Sequence, residues 1–233
     1  MLFYAVLTHM IAENIKSITQ IITRSCEKSG RPASQVELVC VTKEATVEQM
    51  GEALSAGARI FGENRVRDAI AKHNAIGNKA SWHLIGHLQT NKVKDAVKIF
   101  DLIHSVDSVH LAQEIDKQAG KFGKVQDILV QVNTSGEESK FGVTPEAAID
   151  ILKAISLYPN IKIKGLMTIA PEVEDPETVR PFFRALRELR DKMDSLRLTA
   201  YSLKLLSMGM TNDFEVAIEE GATMVRIGRA IFQ

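Results

Sequence analysis

The sequence predicts an α/β protein built as a single (β/α)8 TIM barrel with one extra helix at its N-terminal end. Three observations carry this. The 233 residues approach the length of about 250 over which such a barrel builds one core. Eight short apolar runs alternate with stretches of helical period, the pattern of parallel strands buried on both faces. No Pro-, Ser- or Gly-rich linker breaks the alternation.

Taken in order, an opening helix is expected at 11–27. Strands are expected at 36–42, 59–62, 82–86, 102–106, 128–133, 161–169, 203–208 and 223–228. The helices between them fall at 47–56, 64–73, 91–98, 109–118, 145–157, 176–196 and 211–220. Thr144 followed by Pro145 supplies an N-cap and a proline at the first helical position, and Gly57 and Gly221 sit where helices should stop. Phe182, Phe183, Leu186 and Leu189 share one helix face. The sequence stops at Gln233, just after strand eight, so a closing helix is expected to be absent or very short. Residues 1–10 read as an N-terminal extension, with Met10 as a second start, and 11–233 as the barrel. The apolar stretch 1–7 has no basic region or small-residue cleavage site and is too short to span a bilayer.

Lys plus Arg equal Asp plus Glu at 29 each, so no basic excess exists to drive nucleic-acid binding. A local basic pocket for a small anion is still compatible with that balance. Cys26 and Cys40 make neither a disulfide framework nor a metal quartet, and Cys40 lies in an apolar run that marks it as core. These features imply a cytoplasmic protein, with no membrane and no metal.

Barrel chemistry belongs at the C-terminal ends of the strands, with phosphate held after strands seven and eight. Lys43 closes the first strand on the face of Val41 and Val39. If that face points inward, burial lowers the lysine pKa and frees an amine to condense with an aldehyde; the alternative is a lysine reaching out to solvent. After strand seven, Ser207 offers a hydroxyl, Gly209 permits close backbone approach, and a helix N-terminus near Thr211 adds free N–H groups. After strand eight, Gly228 clears space beside backbone N–H groups, and Arg226 shares its face. Plain turns and a surface arginine are the competing explanations.

Other candidates read as structural. His83 and His87 share a strand face but lack further ligands. His104, Ser105 and Asp107 hold triad residue types without triad geometry. The loop 133–137 is polar without P-loop spacing, a rim loop or lid, and the charged run 184–192 reads as solvated helix surface.

Lys43 after its apolar strand, Phe61-Gly62-Glu63-Asn64, Trp82-His83-Leu84-Ile85-Gly86-His87-Leu88-Gln89-Thr90-Asn91-Lys92, Gly165-Leu166-Met167, Ser207-Met208-Gly209-Met210 and Met224-Val225-Arg226-Ile227-Gly228 occur in that order. Together they resemble the pyridoxal phosphate homeostasis protein family, single-domain relatives of the alanine racemase N-terminal barrel that bind pyridoxal 5′-phosphate (PLP). The resemblance spans 11–232. It implies a Schiff base to PLP on Lys43. It places the phosphate on Ser207 and on the backbone around Met208, Gly209, Gly228 and Arg229, Arg226 at the pyridine nitrogen, and Asn64 at the ring's other polar edge. Where the family has Thr or Ser after the last glycine, this chain has Arg229, which removes one expected hydroxyl.

The resemblance implies a monomeric PLP store or carrier without robust turnover, serving PLP-dependent apoenzymes as recipients. Related racemases add a second base, usually a tyrosine, from a further domain. Here Tyr4, Tyr158 and Tyr201 all lie away from the strand ends. A weak amino-acid racemase-type enzyme and an interaction protein whose PLP is read by a partner stay open. With the phosphate on Ser207, Ser207→Ala is expected to weaken PLP retention more than Thr211→Ala in an equilibrium dialysis assay.

Overall fold

The computed structural model describes residues 2–197, 199 and 202–233, with side chains from residue 10 onward; Tyr201 and the side chain of Tyr4 lie outside the described residues. Eight parallel strands pair in sequence order and close into a barrel: β1 Glu37–Val41, β2 Ile60–Glu63, β3 Ser81–Leu84, β4 Leu102–Val106, β5 Gln126–Gln131, β6 Ile161–Met167, β7 Leu205–Ser207 and β8 Met224–Ile227. The closure is made by β8 on β1, with Val39 opposite Arg226 and Cys40 opposite Ile227. All eight predicted runs become strands because both of their faces find apolar partners. A cluster of Val39, Ile85, Leu102, Leu129, Met167 and Met224 fills the interior, and a larger one lies between sheet and helices.

The helices are α1 Leu2–Lys28, α2 Val47–Ser55, α3 Val66–Ile76, α4 Val93–Ile99, α5 Val109–Lys121, α6 Pro145–Ile155, α7 Arg180–Ser195, α8 Phe214–Glu219 and α9 Arg229–Phe232. Thr46 closes a capping box on Gln49, and Thr144 caps α6 with Pro145 in its first turn. Two boundaries differ from expectation at the rim. Residues 64–65 stay outside α3, and 211–213 form a turn ahead of α8, because the Asp213 carboxylate accepts the Met210 N–H at 2.5 Å.

The first helix extends to Leu2 and has a definite place. Its stripe of Ile11, Ile15, Ile18, Ile22 and Cys26 is buried, and it packs against α8 on one side and α2 on the other. That is the position a helix following β8 would fill. The short α9 lies against α1, where Asn14 donates to the Ile231 carbonyl, and Arg31 just beyond α1 donates to the carbonyls of Ile218 and Ala222. The N-terminal helix and α9 thus pack together beside β8. Among the described residues no helix is long and apolar enough to cross a membrane.

The charged run on α7 does more than face solvent. Glu220, just past α8, is buried and receives Arg180 at 3.3 Å, Arg184 at 2.9 Å and Arg187 at 3.0 Å. This clamp fixes α8 against α7. A second close approach joins β6 to β7, where a Cβ on Gly165 would overlap the Leu205 backbone. Gly165→Ala is therefore expected to destabilise the barrel by about 2–3 kcal/mol, measured as a lowered urea midpoint.

Two histidines stand inside the barrel. Burial pushes His83 down to about 4, with Asp101 pulling the other way, and burial holds His104 well below the usual histidine range, helped by His83 and Arg226. Both rings are therefore neutral when folded, whereas the unfolded chain takes up these protons near pH 6.5. The unfolded state binds more protons below that pH, so their stabilisation is fully present above about pH 6.5 and is lost progressively as the pH falls, for His83 down to about 4. His83 alone is expected to cost roughly 2–3 kcal/mol by pH 4.5. Denaturant titrations at pH 7.5 and pH 4.5 check this, with His83→Gln losing less stability over the same interval.

Candidate functional site

A cavity of about 570 Å³ opens at the C-terminal rim of the barrel, a volume suited to a cofactor-sized ligand. Lys43, Asn64, Arg226, Gly228 and Arg229 line it, together with Lys140 and the segment 210–213. Five of the eight residues singled out from sequence therefore meet in one place. Ser207, Met208 and Gly209 do not line it.

Lys43 follows β1 in a turn, and its side chain is 49% exposed, with Nζ 3.6 Å from Glu44 Oε1. The expectation of a buried lysine over an apolar interior is not met: the strand ends at Val41, and the turn lifts the side chain to the mouth. A half-exposed ion pair of this kind stabilises little. The amine is consequently accessible to a ligand arriving from solvent.

The loop after β7 works differently from the sequence expectation. Ser207 is fully buried inside the barrel, where its hydroxyl meets Arg226 and His104, so it is not exposed to a phosphate at the rim. Met208 is buried, and its N–H is spent on the Met224 carbonyl. Gly209 has φ +93°, and a Cβ there would stand 2.6 Å from Ala217 Cβ; its freedom serves the approach of α8. What faces the cavity instead is Thr211 with Asn212, whose N–H groups have no hydrogen-bond partner among the described residues. Asp213, which burial holds above the usual carboxylate range, shapes this turn through its bond to Met210.

After the adjacent strand β8, the N–H groups of Gly228 and Arg229 are likewise without a partner among the described residues. Gly228 packs on β1, where a Cβ would lie 3.0 Å from the Val41 carbonyl oxygen. The Arg229 side chain points outward to Glu172 at 3.6 Å and is 61% exposed. Two runs of unpaired backbone N–H groups thus face one cavity, an arrangement that attracts an anion.

Arg226 forms part of the cavity floor at 4% exposure. Its Nη1 donates to Ser207 Oγ at 2.6 Å and its Nη2 to the Thr168 carbonyl at 2.9 Å. Burial lowers its pKa to about 10, partly offset by Asp213, so it stays charged at neutral pH. Asn64 is exposed and lines the cavity after β2, and Gly86 allows the end of β3 to pass against the Asn64 backbone, which a Cβ would overlap.

Two features escaped the sequence reading. Lys140, at the far end of the rim loop that begins at Asn133, reaches the cavity. Behind the rim, Glu63 is buried and accepts from Thr42 Oγ1 at 2.6 Å and from Lys72 Nζ at 2.8 Å, while Lys72 also donates to the Thr42 carbonyl. That pair fixes the residues directly before Lys43 and Asn64. His87, by contrast, sits at the edge of a separate shallow cavity, 3.4 Å from Asp107 and stacked on Phe141. The described residues contain no cluster of metal-ligand types. Lys72→Met strands a buried carboxylate and is expected to cost about 3–5 kcal/mol. Adding Glu63→Gln should recover much of the loss in the same urea titration.

Comparison with known proteins agrees with this architecture. A profile of the alanine racemase N-terminal domain family matches residues 11–233. The pyridoxal phosphate homeostasis protein of Aquifex aeolicus is 46% identical over 221 residues, covering 94% of this chain and 96% of the relative. A solved structure from Bifidobacterium adolescentis, described as an unknown protein, superposes with a TM-score of 0.93 at 36% identity, covering 97% and 96% of the two chains. The Synechococcus elongatus protein PipY, solved with PLP bound, gives a TM-score of 0.83 at 35% identity over 96% of this chain and all of PipY. With its closed barrel and its match along nearly the full length, the chain belongs to the alanine racemase N-terminal domain family and, within it, to the pyridoxal phosphate homeostasis proteins.

Proposed function

We propose that this protein binds PLP in the rim cavity, attached through Lys43, and serves as a cytoplasmic, monomeric store that passes the cofactor to PLP-dependent apoenzymes. One observation carries the reading. An accessible primary amine and two runs of unpaired backbone N–H groups face the same cavity, which matches a ligand with an aldehyde at one end and a phosphate at the other. The names of the relatives and the PLP in PipY support the same choice of ligand.

In this reading the Lys43 amine would hold PLP by its aldehyde carbon, reversibly and with loss of water. The N–H groups of Thr211, Asn212, Gly228 and Arg229 take the phosphate that Ser207 was expected to hold. Arg226 would face the ring nitrogen and Asn64 the ring's other polar edge. PLP supplies an electron sink when its ring nitrogen is protonated. Arg226 has donors only and favours the unprotonated nitrogen, which suits storage better than carbanion chemistry. No tyrosine lines the described cavity.

Protein mixed with PLP and desalted should show visible absorbance, and Lys43→Ala should abolish it. A wild-type protein that stays colourless overturns the proposal. Incubation with a panel of L-amino acids should give D-isomers no faster than free PLP does; faster formation favours the racemase-type alternative.

A further inference from the structure

The barrel floor contains a line of polar contacts to which neither the amine nor the phosphate loops give a role. Arg226 Nη1 meets Ser207 Oγ at 2.6 Å, Ser207 Oγ meets His104 Nδ1 at 2.9 Å, and His104 Nε2 meets His83 Nδ1 at 3.0 Å. These groups come from β8, β7, β4 and β3, and all four residues are at most 4% exposed.

The direction of the line follows from counting hydrogens. A guanidinium has donors only, so Ser207 must accept from Arg226. Ser207 has one hydrogen of its own and, apart from Arg226, a single side-chain partner among the described residues, His104. If that hydroxyl donates to His104 Nδ1, His104 carries its proton on Nε2 and donates to His83 Nδ1, and every contact is satisfied. In the reverse order Ser207 accepts twice, and its buried hydrogen has no acceptor, a costly state in a dry interior. A doubly protonated ring would place a second cation beside Arg226.

We infer that His83, His104 and Ser207 form a one-way donor chain that positions the Arg226 guanidinium at the cavity floor. They are positioning residues and touch no ligand. The charged and titratable neighbours agree with a fixed state. Asp101 acts on His83, His83 and Arg226 act on His104, and Asp213 acts on Arg226; burial outweighs the attraction of Asp101 and keeps both rings neutral. Thr168 completes the hold on Arg226 from the other side: its carbonyl accepts Nη2, and its own hydroxyl donates to the Val132 carbonyl at 2.8 Å. The chain gives a role to two histidines that are buried in the barrel interior.

Selective 15N labelling of histidine in the ligand-free protein tests the chain directly. His104 is expected as the Nε2–H tautomer with an unprotonated Nδ1, unchanged from about pH 6 to 9. Ser207→Ala should remove that preference, and Ser207→Thr should restore it. A proton on Nδ1 of His104 in the wild type, or a spectrum unmoved by Ser207→Ala, overturns the chain.

The consequence for the cofactor rests on the PLP reading above and has a separate readout. Ser207→Ala should lower PLP retention by about tenfold, the loss expected for one charge-assisted bond, with Ser207→Thr close to wild type. Unchanged retention in Ser207→Ala overturns the positioning role. Failure of the wild type to take up PLP counts against the function reading alone, because the tautomer result stands without ligand.

Discussion

Arg226 holds a full positive charge inside the barrel, and much of the rim is arranged around that fact. A buried guanidinium survives only when its donors are met and its charge is partly balanced. Here Ser207 and the Thr168 carbonyl take two of its hydrogens, and Asp213 supplies a nearby negative charge. Its backbone is equally committed, because the Arg226 N–H donates to the Gly209 carbonyl at 3.0 Å. The loop after β7 and the end of β8 are thereby tied to one residue. The residues with unpaired N–H groups that follow β7 and β8 therefore line one cavity from two adjacent strand ends.

Order elsewhere in the molecule supports this rim. Glu63 and Lys72 hold Thr42 from behind, which sets where the chain turns upward into Lys43. The three arginines of α7 grip Glu220 and keep α8 in place, and α8 in turn presses on Gly209. Helix α1 fills the slot beside β8 and secures the short α9. Each of these contacts lies behind the cavity and supports a segment that leads into it.

The strands were legible because burial on both faces leaves an unbroken apolar run, and the choice of rim followed from barrel geometry. Lys43, Asn64, Arg226, Gly228 and Arg229 were legible as rim residues for the same reason. What strand period could not convey was where a strand stops. β1 ends two residues before Lys43, so the lysine leaves the inward face that alternation assigned to it. Ser207 was read one layer too high, because nothing local to β7 reveals that His104, 103 residues away, claims its hydroxyl. Gly209 looked like ligand clearance, and its true neighbour is α8. The early start expected for α8 failed on a single side chain, since Asp213 folds the preceding residues into a turn. Lys140 carried no local signal at all, being a lysine in a polar loop.

Under the proposed function, Lys43 would act as a reversible anchor, with backbone N–H groups to hold the phosphate and Arg226 to leave the ring nitrogen unprotonated. An anchor of this kind suits holding and release better than turnover. Lys140 lines the same cavity and offers the aldehyde a second amine. Reduction of the PLP-loaded protein with borohydride, followed by peptide mass spectrometry, fixes the attachment point. The added pyridoxyl mass is expected on the peptide containing Lys43 at near one per chain. A label found chiefly on Lys140, or none retained after denaturation, would contradict it.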